Sequence, residues 1–180
     1  MLSLLILLLA LWHFYIGYNR GIILQGFYTV VMVLGLFIAK QHYQTLADKI
    51  GLWIPYSNPT EGVTMNFFTS YNVFDLDKAY YAGVAFVAIF ALVYLIGRFL
   101  GILVHLFPLN KLDSSVLNII SGVLAVLVLM AFLSMTLTTL ATVPMTTIQN
   151  HLAASSLVKF LINHFPPFSN LWTSLWMAGL

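Results

Sequence analysis

Gly17-Tyr18-Asn19-Arg20-Gly21 is the stretch on which the fold turns. Around it, from Leu2 to Ala39, the chain is almost unbroken apolar residue, and Arg20 is the only formal charge in that run. As one helix rising ~1.5 Å per residue the run would extend roughly 57 Å, nearly twice the ~30 Å hydrocarbon core of a bilayer. It has to fold back. Residues 17–21 alone combine two glycines, an asparagine and a charge, so they read as the tight joint of a helical hairpin with Arg20 at the water boundary. Span one then covers about residues 2–16 and span two about 22–39. Gly26 and Gly35 in span two allow close approach of a neighbour. Lys40-Gln41-His42 ends it.

The whole chain supports a membrane setting. Its 180 residues are 61% hydrophobic and only 7% charged, where a soluble domain carries about 25% charged residues. Such a chain cannot cover a water-facing surface. A formal charge of +2 without a basic patch gives no basis for nucleic-acid binding. The absence of cysteine removes disulfides, thiolate chemistry and cysteine-based metal sites. The first apolar run has no Lys or Arg before it and ends in Trp12-His13-Phe14-Tyr15. It reads as a retained span rather than a cleaved signal.

Residues 40–78 are the one long polar segment. Tyr43, Leu46, Ala47 and Ile50 have helical spacing and predict a short surface helix, and Asp75 or Asp77 suits the start of the next helix. Span three covers about 79–98 and span four about 116–143, closed by Pro144. Residues 1–144 thus form a four-span membrane domain and 145–180 an amphipathic tail. In the tail, Ser155 or Ser156 can cap a helix presenting Leu157, Val158, Leu161, Ile162 and Phe165. After Pro166-Pro167 a second piece places Phe168, Leu171, Trp172, Leu175 and Trp176 on one face. The expected fold is an all-α integral membrane protein, with four transmembrane helices in two short-looped pairs and amphipathic interfacial C-terminal helices. The short connections carry basic residues almost alone, which predicts both chain ends outside and Arg20, Arg98 and Lys111 at the cytoplasmic face.

Chemistry-bearing residues are few. Arg20 lies within Gly17…Gly21 and Arg98 within Gly97…Gly101, and each glycine pair lets two helix backbones meet closely. Arg20, Arg98 and Lys111 could contact an anionic ligand or lipid headgroup; the plainer reading is snorkelling interface anchors. Ser134, Thr138 and Thr142 recur every fourth residue and form a polar face. That face could line a solute path, although Ser and Thr in such helices more commonly bond neighbouring helices or their own backbone. His13, His42, His105, His151 and His164 show no ligand spacing. His105 could serve an enzyme, but a lone interfacial histidine is commoner. No catalytic, cofactor-binding or metal site is expected.

Several of these motifs, taken in order, resemble the colicin V production protein (CvpA) family. They are Gly17-x-x-Arg20-Gly21, then Ala39…Tyr43, then Leu117-Asn118-x-x-Ser121-Gly122 opening span four, and finally Ser155-Ser156-Leu157…Phe165-Pro166-Pro167. Together they cover roughly residues 10–172. The resemblance implies a small, multi-pass protein of the bacterial cytoplasmic or inner membrane with about four spans and no enzymatic chemistry. It implies an accessory role in production or export of a peptide toxin and in envelope homeostasis, exercised through lipid, protein partners or a homo-oligomer. Tyr18, near the first hairpin, and Ile119, at the fourth span, stand where the family often has basic residues, which thins the positive charge on the predicted cytoplasmic face. The alternative reading is an oligomeric pore or small-solute transporter.

Overall fold

The computed structural model describes residues 1–59, 63–104, 114–177 and 180. Among these residues every regular element is helical. Four helices are long and apolar enough to cross a membrane: α1 (Leu2–Arg20), α2 (Ile22–Ile50), α3 (Leu76–Val104) and α4 (Ser115–Ala141). Three short ones follow: α5 (Thr146–Ala153), α6 (Ser156–Asn163) and α7 (Phe168–Trp176).

The hairpin joint lies where the sequence places it, and it is a single residue. Gly21 alone separates α1 from α2, with φ 83° and ψ 161°. That conformation is essentially restricted to glycine. α1 runs on to Arg20, beyond the expected end near residue 16, because Gly17, Tyr18 and Asn19 stay helical. The Asn19 side-chain amide donates to the Tyr15 carbonyl.

The second span also departs from expectation. It does not stop at Lys40-Gln41-His42; α2 continues unbroken to Ile50. Charged and amide side chains are ordinary helix formers, so these residues do not end the helix. The face of Tyr43, Leu46, Ala47 and Ile50 packs on the protein's own core. Tyr43 anchors it, with its ring 5.8 Å from that of Phe86 and its hydroxyl donating to the Leu175 carbonyl. A short 3₁₀ turn, Val73–Asp75, leads into α3, and the Asn72 side chain accepts from the Phe74 amide. Asn72 thus caps the turn, while Asp75 immediately precedes α3 and Asp77 lies in its first turn. Ser114 caps α4, accepting from the Leu117 amide.

By connectivity α1 pairs with α2. By packing α1 lies along α4 and α2 along α3. Glycines decide this. A Cβ on Gly17 would sit 2.5 Å from the Ala125 Cβ and 2.8 Å from the Ser121 carbonyl oxygen, and one on Gly122 would sit 2.7 Å from the Phe14 ring. Equivalent atoms on Gly97 and Gly101 would run into Val31 and Tyr28 of α2. Gly35 meets Phe90, whereas Gly26 faces open space.

The tail covers the end of the bundle where α1 begins and α4 ends. The sequence does not foretell α5, whose buried Gln149 explains its placement. The Gln149 amide nitrogen donates to the Ala141 and Val143 carbonyls, and its oxygen accepts from the Asn66 amide. It thereby serves carbonyls that the end of α4 leaves without helical partners. Ser155 caps α6 and shares a hydrogen bond of 2.7 Å with Ser3. Of the five apolar residues that the spacing puts on one face, Val158, Leu161 and Ile162 are buried and Leu157 and Phe165 half-buried, so the face packs on the protein itself. Phe168, Trp172 and Trp176 of α7 stack in sequence, and Trp172 meets Phe86 of α3 edge-on at 5.4 Å.

Candidate functional site

The glycine contacts set the polar chemistry at the opposite end of the bundle. Because Gly17 has no side chain, Ser121 of α4 comes close enough for its hydroxyl to donate to the Gly17 carbonyl at 2.5 Å and the Gly21 carbonyl at 3.0 Å. These bonds fix the C-terminus of α1, and with it Arg20. The Arg20 Nη1 donates to Gln25 Oε1 at 2.8 Å. Gln25 is only 1% exposed, so this bond satisfies an amide oxygen that would otherwise be costly inside the protein.

The second glycine pair completes the arrangement. Gly97 and Gly101 let α2 approach α3 until the buried Tyr28 ring reaches the level of both arginines. The Arg20 guanidinium lies 4.7 Å from the Tyr28 ring centre and that of Arg98 4.8 Å from it. Each contact contributes ~0.5–2 kcal/mol, depending on how far the cation is desolvated. Arg20 is half-buried and Arg98 exposed. Among the described residues the one ion pair is Lys78 with Asp75, so neither arginine has a carboxylate partner there.

A cavity of about 380 Å³ opens beside the two arginines, between α1, α3 and α4. Its polar rim is Arg20, Arg98 and Tyr94; its walls are Ile16, Ala91, Leu95, Ala125, Val128 and Leu129. Phe90 and Phe132, stacked at 6.2 Å, close its deep end. His13 also lines it, with Nδ1 donating to the Leu9 carbonyl at 3.0 Å.

The structure thus brings Arg20 and Arg98 together, as the sequence suggests, while Lys111 lies outside the described residues, as does His105. Ser134, Thr138 and Thr142 are buried, and none of them borders this cavity. Ser134 donates to the Leu161 carbonyl and accepts from the Trp172 indole. Thr142 bonds back to the Thr139 carbonyl. The Thr138 hydroxyl has no partner among the described residues. Among those residues no group of three or more His, Cys, Asp or Glu could hold a metal ion.

Sequence reading overlooks Gln25, Tyr28 and Tyr94, and gives His13 no place beside Arg20. A signal for part of the set exists in the spacing. His13 precedes Arg20 by seven residues and Ala91 precedes Arg98 by seven, and residues seven apart share a helix face. Gln25 and Tyr28 carry no such signal, because they belong to a third helix.

Comparison with known proteins gives a consistent result. The family model described as colicin V production protein matches residues 2–166. The uncharacterized transmembrane protein YshB of Bacillus subtilis strain 168 is 32% identical over 181 residues, spanning 98% of this chain and 97% of the relative. No solved structure matches the chain.

Proposed function

This chain belongs to the colicin V production protein family, and from that premise we propose that it is a non-catalytic accessory protein of the bacterial inner membrane. It serves production or export of a colicin V-type peptide toxin and envelope homeostasis. It acts by binding a lipid or membrane-protein partner rather than by transforming a substrate.

One observation carries the binding reading. Two arginines without carboxylate partners among the described residues converge on one buried tyrosine at the rim of an apolar cavity. Paired guanidiniums at a membrane boundary, with N–H donors to spare, suit the binding of an anionic group. Burial of Ser134, Thr138 and Thr142 beneath the tail supports binding over an oligomeric pore lined by them.

The test is deletion of the gene in a strain that exports such a toxin, with toxin in the culture medium as readout. Loss of export on deletion, restoration by the wild-type chain, and failure of Arg20→Gln/Arg98→Gln at equal membrane abundance are expected. Unchanged export on deletion would refute the accessory role. Full restoration by the double variant would refute the arginine site as its working part. His105→Ala should complement fully; failure to do so at normal abundance would reopen an enzymatic reading.

A further inference from the structure

We infer that the cavity between α1, α3 and α4 is a binding site for one anionic phospholipid of the surrounding bilayer. The headgroup phosphate sits against Arg20 and Arg98, and one acyl chain lies along the apolar walls. The inference deepens the binding reading above and rests on it for the role of the arginines.

The first argument is charge. Both guanidiniums lie within 5 Å of the same ring centre, so they are neighbours of like sign. Arg20 spends one donor on Gln25. A guanidinium carries five N–H donors, so most of its capacity remains. A phosphate placed against both cations relieves their repulsion and accepts those donors in the forked geometry that arginine offers.

The second is the gradient along the cavity. On α3 the lining passes from Arg98 through Tyr94 and Leu95 to Ala91 and Phe90. On α1 it passes from Arg20 through Ile16 to His13. Seven residues of helix correspond to about 10 Å of depth, so over that distance the wall changes from cationic to aromatic. This is the order of groups in an amphiphile oriented as in a bilayer leaflet. The one polar side chain at depth, His13, already has Nδ1 engaged by its own helix.

The third is access. Leu95 is 56% exposed and Ala91 is exposed as well. In a spanning helix such residues meet lipid, so the cavity is open sideways to the acyl chains. A ligand that arrives within the bilayer fits this entrance better than one arriving from water. The volume of about 380 Å³ lies at the low end of the ~300–1,000 Å³ typical of ligand pockets. It suits one chain, with the rest of the lipid outside.

Native mass spectrometry of the purified full-length protein with phosphatidylglycerol and phosphatidylcholine of matched chains tests this. Two near-surface arginines set an expected preference on the order of 30-fold for the anionic lipid, as a single saturable adduct. Arg98→Gln, an exposed change that leaves the Gln25 bond in place, should reduce the preference several-fold. Leu129→Trp, which fills the cavity and keeps both arginines, should abolish the adduct. Equal binding of the two lipids to the wild-type protein, or an undiminished adduct in Leu129→Trp, would overturn the proposal. So would displacement of the lipid by millimolar inorganic phosphate, which would identify a site for free anions. No toxin is present in this experiment. A negative result alongside arginine-dependent complementation would therefore leave the accessory role standing and point to a partner other than lipid.

Discussion

Replacing Gly17 and Gly26 by alanine makes the same chemical change twice, four residues before and five residues after the same hairpin joint at Gly21, with opposite expected signs. At Gly17 the added methyl would lie 2.5 Å from the Ala125 Cβ, 2.8 Å from the Ser121 carbonyl oxygen and 3.0 Å from the Gly122 Cα. Unstrained carbon contacts lie at ~3.5–4.0 Å, so the shortfall is about 1 Å. None of the three atoms is the end of a flexible side chain, so α1 and α4 must separate. Separation also stretches the 2.5 Å bond from Ser121 to the Gly17 carbonyl. Overpacking of this kind costs ~1–3 kcal/mol, and a weakened interhelical hydrogen bond adds ~0.6 kcal/mol. The better helix propensity of alanine returns up to ~1 kcal/mol. The net expectation for Gly17→Ala is a destabilisation of about 1–2 kcal/mol. At Gly26 nothing lies within 4 Å of the added methyl, so only the propensity gain remains, about 0.5–1 kcal/mol of stabilisation. Unfolding in mixed micelles by graded addition of a denaturing detergent, followed by circular dichroism, measures both. Ala125→Gly in the Gly17→Ala background should restore part of the loss, since the Ser121 carbonyl still obstructs. Equal effects at the two glycines would refute the packing of α1 on α4, and so would a Gly17→Ala protein as stable as the parent.

Gly21→Ala also has open space around the new methyl, yet its φ of 83° with ψ 161° predicts a loss of ~1–3 kcal/mol from backbone strain alone. A melting temperature equal to the parent's would contradict that. Ser134→Ala strands the Trp172 indole and the Leu161 carbonyl. It should cost about 1–2 kcal/mol and speed hydrogen exchange in α6 and α7; unchanged exchange there would show that Ser134 does not hold the tail. Thr138→Val removes a buried hydroxyl without a partner among the described residues and should be neutral or stabilise by up to ~1 kcal/mol. A clear destabilisation in the same micelle titration would mean that the hydroxyl is bonded after all.

Some features were legible in the sequence because they depend on one helix at a time. Length against bilayer thickness demands the fold-back at Gly17–Gly21, and local cap chemistry narrows the start of α6 to Ser155 or Ser156. The apolar spacing of α6 and α7 names faces on which Val158, Leu161, Ile162, Phe168, Trp172 and Trp176 are buried and Leu157, Phe165, Leu171 and Leu175 half-buried. Other features depend on which helix meets which. Periodicity says that Gly97 and Gly101 share a face, but not that Val31 and Tyr28 will occupy it. In a chain this apolar, lipid-facing and protein-facing residues look alike, so the hydrophobic pattern cannot choose between partners. Gln149 shows a related blind spot: a polar side chain in a short polar helix reads as surface until the carbonyls at the end of α4 are seen to need it. The end of α2 is hidden for a third reason, since Lys40, Gln41 and His42 report on solvent and not on backbone.

The pairing of α1 with α4 sets a schedule for biosynthesis. Ser121 lies 104 residues after the Gly17 carbonyl that it bonds. At roughly 5–20 residues per second, the ribosome finishes α1 on the order of 5–20 s before its partner emerges. α2 and α3 meet sooner and can settle as a unit while the first helix waits in the lipid. A nascent chain stalled after α3 therefore carries an orphan helix with an unmatched glycine face, open to insertion factors and membrane proteases. Translation pauses between residues 104 and 120 should lengthen that window and lower the yield of mature protein without altering a single native contact.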